Sequence, residues 1–155
     1  MALDLRMEKS FAKVWAELIE IYKDRQPERP FFNSRIKGSD IVRWSGYLQT
    51  SNDELYDAIA LRIAEGYFKK ELDFTLCDAI VNDIHSAITH VGGQRPDLFW
   101  RVYLAFDEGE YYHDDRRDVD PEELYTVPMI EAIIEEFPDH LSDRKDLRMS
   151  STDPQ

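Results

Sequence analysis

The sequence predicts an all-α fold: a single-domain bundle of about five helices, with an irregular loop region near 26–50. Three observations predict it. Apolar residues recur at i, i+3, i+4 and i+7 in several separate windows. Segments that alternate with period two are scarce, so strand signals are weak throughout. Helix start and stop signals fall where the periodic windows begin and end. A chain of 155 residues is long enough for one sizeable core. It shows no internal repeat or linker, so residues 1–137 read as one helical domain and 138–155 as a mobile polar tail.

The first helix is expected over about 9–24. Phe11, Val14, Trp15, Leu18, Ile21 and Tyr22 form its stripe, and Ser10 is its candidate N-cap. Pro27 and Pro30 forbid its continuation. Residues 26–50 carry turn signals at Asn33-Ser34, Gly38-Ser39 and Ser45-Gly46. Ile41, Val42 and Trp44 there fit a short helix or an extended piece. A capping box at Ser51 and Glu54 opens the next helix, to about residue 69.

Asp73 caps a helix over about 74–91, whose stripe of Phe74, Cys77, Ile80, Val81, Ile84, Ile88 and Val91 is the most regular in the chain. Gly92-Gly93 stops it. Pro96 opens a fourth helix, lined by Leu98, Phe99, Val102, Tyr103 and Phe106, which Gly109 ends. Residues 110–120 read as a polar loop. Asp120-Pro121-Glu122-Glu123 is a further start signal, and a last helix over about 127–137 buries Ile130, Ile133, Ile134 and Phe137.

The net charge is −13, and it is local. Residues 107–139 hold thirteen acidic residues against Arg116 and Arg117, a net of −11. Such a field attracts basic partners and repels phosphate backbones, which argues against nucleic acid. The single cysteine excludes an internal disulfide and points to a reducing, cytoplasmic setting. Neither a signal-peptide core nor an apolar run near the ~20 residues of a membrane span occurs. No phosphate-cradling glycine loop, Cys-x-x-Cys pair or nucleophile elbow is present, and the sequence implies no cofactor.

Three segments carry candidate chemistry. Asp78, Asn82 and His85 fall within about 60° of one another around a helix, beside the apolar stripe. A carboxylate, an amide and an imidazole there suit a metal or proton-transfer site, or a polar network that fixes helix packing. The loop around His113, Asp114 and Asp115, with Asp107, Glu108 and Glu110 upstream, offers ligands for a divalent ion but lacks calcium-loop spacing. The competing reading of this loop is plain solvated surface. The 23–47 region has a net charge of +3, with Phe31, Phe32, Trp44 and Tyr47 interleaved. Its aromatics are read first as anchors of a loop, then as an interface, and last as a nucleic-acid surface. Cys77, on the apolar stripe, reads as core.

The broad apolar face of the fourth helix runs straight into the acidic segment. This favours a non-catalytic domain that binds a basic protein, as acidic inhibitor or immunity proteins do; that likeness is one of charge and size. Trp100, Tyr103, Asp107, Glu110, Tyr111, Tyr112, Asp114 and Asp115 would carry the contact, with no catalytic residue assigned. The alternative is a metal-dependent hydrolase using Asp78, His85, His113 and Asp114. The same apolar face would also serve as a homodimer seam.

Overall fold

A computed structural model describes residues 5–23, 34–113 and 117–137. Among the described residues, six α-helices make up the bundle: α1 (Leu5–Ile21), α2 (Gly38–Leu48), α3 (Asn52–Phe68), α4 (Phe74–Val91), α5 (Asp97–Glu108) and α6 (Val127–Glu136). A π-helical turn, Glu122–Thr126, runs directly into α6. Among the described residues there is no strand. No helix among them is long and apolar enough to cross a membrane. The expected tail at 138–155 and the loop residues Asp114 and Asp115 lie outside the described residues.

α3 is the centre of the bundle and packs against α2, α4, α5 and α6. Its buried side chains form two adjacent stripes, Leu55, Ile59 and Ile63 beside Tyr56, Ala60 and Ala64. A helix apolar over so wide an arc has to be covered on several sides. At its start Ser51 Oγ accepts from the Glu54 amide at 3.2 Å, one half of the expected capping box. Asp73 likewise caps α4, accepting from the Leu76 amide at 2.8 Å. Gly92 closes α4 in the left-handed conformation at φ 81°, where a side chain would be strained.

Two readings need correction. Ser10 is not a cap. The helix already begins by Leu5, because Leu5 to Lys9 are ordinary helix formers and continue the turn upstream. The 26–50 stretch is not irregular throughout, because Gly38–Leu48 form α2. Ile41, Trp44 and Leu48 lie on one face of it and are buried. Asp40 Oδ2 accepts from the Lys37 amide at 2.8 Å and satisfies the helix start. This settles the choice between helix and extended chain, and it makes Trp44 a fully buried core residue.

The π-helical turn has a local cause. Pro128 has no N–H and its ring collides with the carbonyl four residues back. The ladder slips by one residue, and the Val127 amide bonds to the Glu122 carbonyl. Within that turn Thr126 is fully buried, and its hydroxyl donates to the Ala105 carbonyl of α5 at 2.7 Å.

The start of α5 is capped from another helix. Pro96, its N-cap residue, has no side chain to offer. Asp57 Oδ1 of α3 accepts from the Phe99 amide at 2.9 Å instead. Asp57→Ala is expected to cost about 1 kcal/mol in urea unfolding. Asp57→Asn, which keeps an acceptor oxygen, should lose much less. Equal losses in the two variants would count against the capping role.

Candidate functional site

The polar edge of α4 and the outer face of α5 lie against each other. The structure therefore joins two groups of residues that the sequence presents separately. From α4 come Asp78, Asn82 and His85. Trp100, Tyr103 and Asp107 come from α5, and Glu110 follows its last turn.

The first half of the site is a stack of rings. His85 lies on Tyr103 with centroids 4.6 Å apart and planes 23° from parallel. Tyr103 lies on Trp100 at 5.0 Å and 13°. The Arg95 guanidinium covers the Trp100 ring, 4.0 Å from its centroid, an arrangement that favours a cation. Arg95 Nη1 also reaches His85 Nε2 at 3.3 Å. Guanidinium only donates, so Nε2 is an acceptor and the imidazole is neutral with its proton on Nδ1. Burial, followed by the Arg95 charge, holds the His85 pKa below its ordinary value, in agreement with that tautomer.

The second half is acidic. Asn82 Nδ2 donates to the Asp78 backbone carbonyl at 2.9 Å and to Asp78 Oδ1 at 3.0 Å. The same nitrogen stands 3.4 Å from Glu110 Oε1. Asn82 thus brings the Asp78 and Glu110 carboxyls close to each other. Burial, then the Glu110 hydrogen bond and charge, push the Asp78 carboxyl up to about 8. Asp107 is also raised, by burial and then by the charges of Glu110 and Glu108.

His113 belongs to a separate group. Its Nε2 lies 3.1 Å from Glu108 Oε2 and 3.0 Å from the Glu108 carbonyl. Its ring sits between Tyr111, at 4.4 Å, and Tyr125, at 4.3 Å. Tyr111 and Tyr112 are about half exposed, at 49% and 50%.

No family model, curated protein or solved structure matches this chain.

Of the residues read as binding, Trp100, Tyr103, Asp107 and Glu110 lie around one face, and Tyr111 and Tyr112 follow directly along the chain. Of the residues read as metal ligands, Asp78, His85 and His113 each have other polar partners, and Asp114 lies outside the described residues. Asp78 bonds to Asn82, the His85 Nε2 is held by Arg95, and His113 pairs with Glu108. Among the described residues no group of three or more His, Cys, Asp or Glu is placed to hold a metal ion.

In the 23–47 region, where described, Ile36, Ile41 and Trp44 are buried while Val42 is exposed. Arg43 pairs with Glu17 and Asp40, both at 2.9 Å. Trp44 is buried, and Lys13 caps the Tyr47 ring at 4.2 Å. Phe31 and Phe32 lie outside the described residues. Cys77 is fully buried, with its thiol pushed up to about 12 chiefly by burial. It is core, since a thiol at that value is a poor nucleophile.

Arg95 is the member of the site that sequence reasoning missed. It sits in a loop after Gly92-Gly93, and nothing in its spacing links it to Trp100 or His85.

Proposed function

We propose that this protein is a non-catalytic binding domain whose α4–α5 face engages a basic protein partner. The observation that carries this reading is the ring stack of Trp100, Tyr103 and His85 running into the carboxyl group of Asp78, Asp107 and Glu110. Rigid aromatic surface supplies contact area at low conformational cost, and such residues dominate protein-binding energetics. The adjoining acids steer a cationic partner toward it and select against acidic ones. Tyr111 and Tyr112, next along the chain after Glu110, add half-exposed aromatic surface.

The test is affinity capture at low salt with wild-type protein, Trp100→Ala and Asp107→Asn, followed by mass spectrometry. A basic protein should be retained by the wild type and released as salt rises, because exposed charges are screened. Trp100→Ala should weaken retention roughly tenfold, as expected for loss of an aromatic anchor. Retention of nothing basic, or equal retention by all three proteins, would sink the reading. Sedimentation of the isolated protein separates a partner from a second copy, since a homodimer would form without lysate.

A further inference from the structure

On another part of the surface, an open groove of about 1050 Å³ runs between the α3–α4 turn and the π-helical turn that leads into α6. Tyr67, Phe74 and Ile130 contribute to its lining. Phe68, 43% exposed, and Val127, 36% exposed, contribute apolar surface at its sides. Its carboxyl groups are Glu71, Asp73, Asp120, Glu122, Glu123 and Glu131, against a single cation, Lys70.

We propose that this groove docks a basic amphipathic segment of a partner protein, with lysine or arginine on either side of a large apolar residue. The inference rests on the reading of the chain as a protein-binding domain and adds a second, distinct surface to it. Three features favour that occupant. The groove is open, and at the upper end of the size of small-molecule pockets, so a chain segment suits it better than a compact ligand. Six carboxyls, of which Glu71 is already paired with Arg62 at 3.5 Å, against one lysine still repel phosphates and acidic metabolites and complement lysine and arginine. The exposed Phe68 and Val127 give the apolar anchor something to pack on, the mode in which amphipathic segments are recognised. The wall is also pre-shaped. The Tyr67 hydroxyl donates to the Glu122 carboxylate, which ties the π-helical turn to α3. Binding to a groove held in place loses less to ordering.

The experiment is a titration of ¹⁵N-labelled protein with a short alternating lysine–leucine peptide, with a glutamate–leucine peptide of equal length as control. The basic peptide should give saturating amide shifts centred on Phe68, Glu122, Glu123 and Val127, and the acidic peptide none. Both Phe68→Ala and the exposed double variant Glu123→Gln/Glu131→Gln should weaken binding about tenfold while far-UV circular dichroism stays unchanged. The two variants test the apolar and the charged contribution separately, so a folding failure in one leaves the other decisive. Saturating shifts confined to the α4–α5 face would overturn the groove while leaving the proposed function standing. Shifts that spread over all acidic surface without saturating, or no shifts, would also overturn it. The proposed function fails on a different readout, the loss of basic partner capture and of its dependence on Trp100.

Discussion

Gly109→Ala is expected to be severely destabilising, although the glycine has an ordinary backbone conformation at φ −83°. The reason is space. A Cβ at this position would overlap the Thr126 hydroxyl and stand 3.0 Å from the Phe74 ring and 3.3 Å from Thr126 Cβ. Thr126 has nowhere to go, being fully buried and hydrogen-bonded to Ala105. The end of α5 and the π-helical turn would have to separate. Overpacking of this kind costs about 1–3 kcal/mol, and a rigid obstacle puts this site at the upper end. A chain of this size loses roughly 2–4 °C of Tm per kcal/mol, so a fall on the order of 10 °C is expected by calorimetry. Gly66→Ala provides the comparison. Its added carbon meets the side chain of Leu72, which is only partly buried, and Arg62 Nη1 at 3.1 Å, so its cost should be clearly smaller. If Gly66→Ala proved as damaging as Gly109→Ala, the steric account would be wrong. Thr126→Ala should recover part of the loss when combined with Gly109→Ala.

The second large effect is a fall in stability as pH rises, centred on Asp78. In the folded protein its carboxyl is raised from 3.8 to about 8. The native state therefore holds a proton that the unfolded chain has already released between these values. Linkage then fixes the sign. The stabilisation is complete below the ordinary carboxylate range and is lost as pH rises through about 8. Asp57, Asp83 and Asp107 are raised as well, each chiefly by burial, and act in the same direction. Wild-type Tm should decline between pH 5 and pH 9, both pH values being set from the ordinary and raised carboxyl values. Asp78→Asn places a neutral amide where a charge is resisted. Its Tm should vary less with pH and should exceed that of the wild type by several degrees at the alkaline end. Parallel curves for the two proteins would show that Asp78 is not the group responsible. The same variant bears on binding. A partner cation approaching Asp107 and Glu110 would favour ionisation of this carboxyl cluster, so binding should strengthen with pH while stability falls.

Much of the fold was legible because helix chemistry is local. The caps at Ser51 and Asp73 and the stop at Gly92 need only their own neighbours, and they stand where the residues placed them. Ser10 misled because serine is also tolerated inside a helix, where its side chain can face solvent. α2 was ambiguous because its apolar residues are few and its flanking signals are those of turns. The π-helical turn was not legible, since a proline just after a helix start reads as an ordinary first-turn residue. The candidate site was legible in its halves. Trp100 and Tyr103 were visible as a dense aromatic face, and Asp78, Asn82 and His85 as a polar edge.

The sequence by itself determined the helical class, most of the helices, and the confinement of charge to residues 107–139. Each follows from a period, a cap or a count that one segment carries alone. The tertiary structure decided what the acidic segment does in space. Part of it meets the aromatic stack across α4 and α5, and part lines a groove on another part of the surface. A helical period sets which residues share a face, but it does not set which neighbour that face meets. That depends on how α3 is covered, on the room left by Gly109 beside Thr126, and on the slipped register before Pro128. These contacts place Glu110 against Asp78 and Arg95 over Trp100, and no local rule contains them.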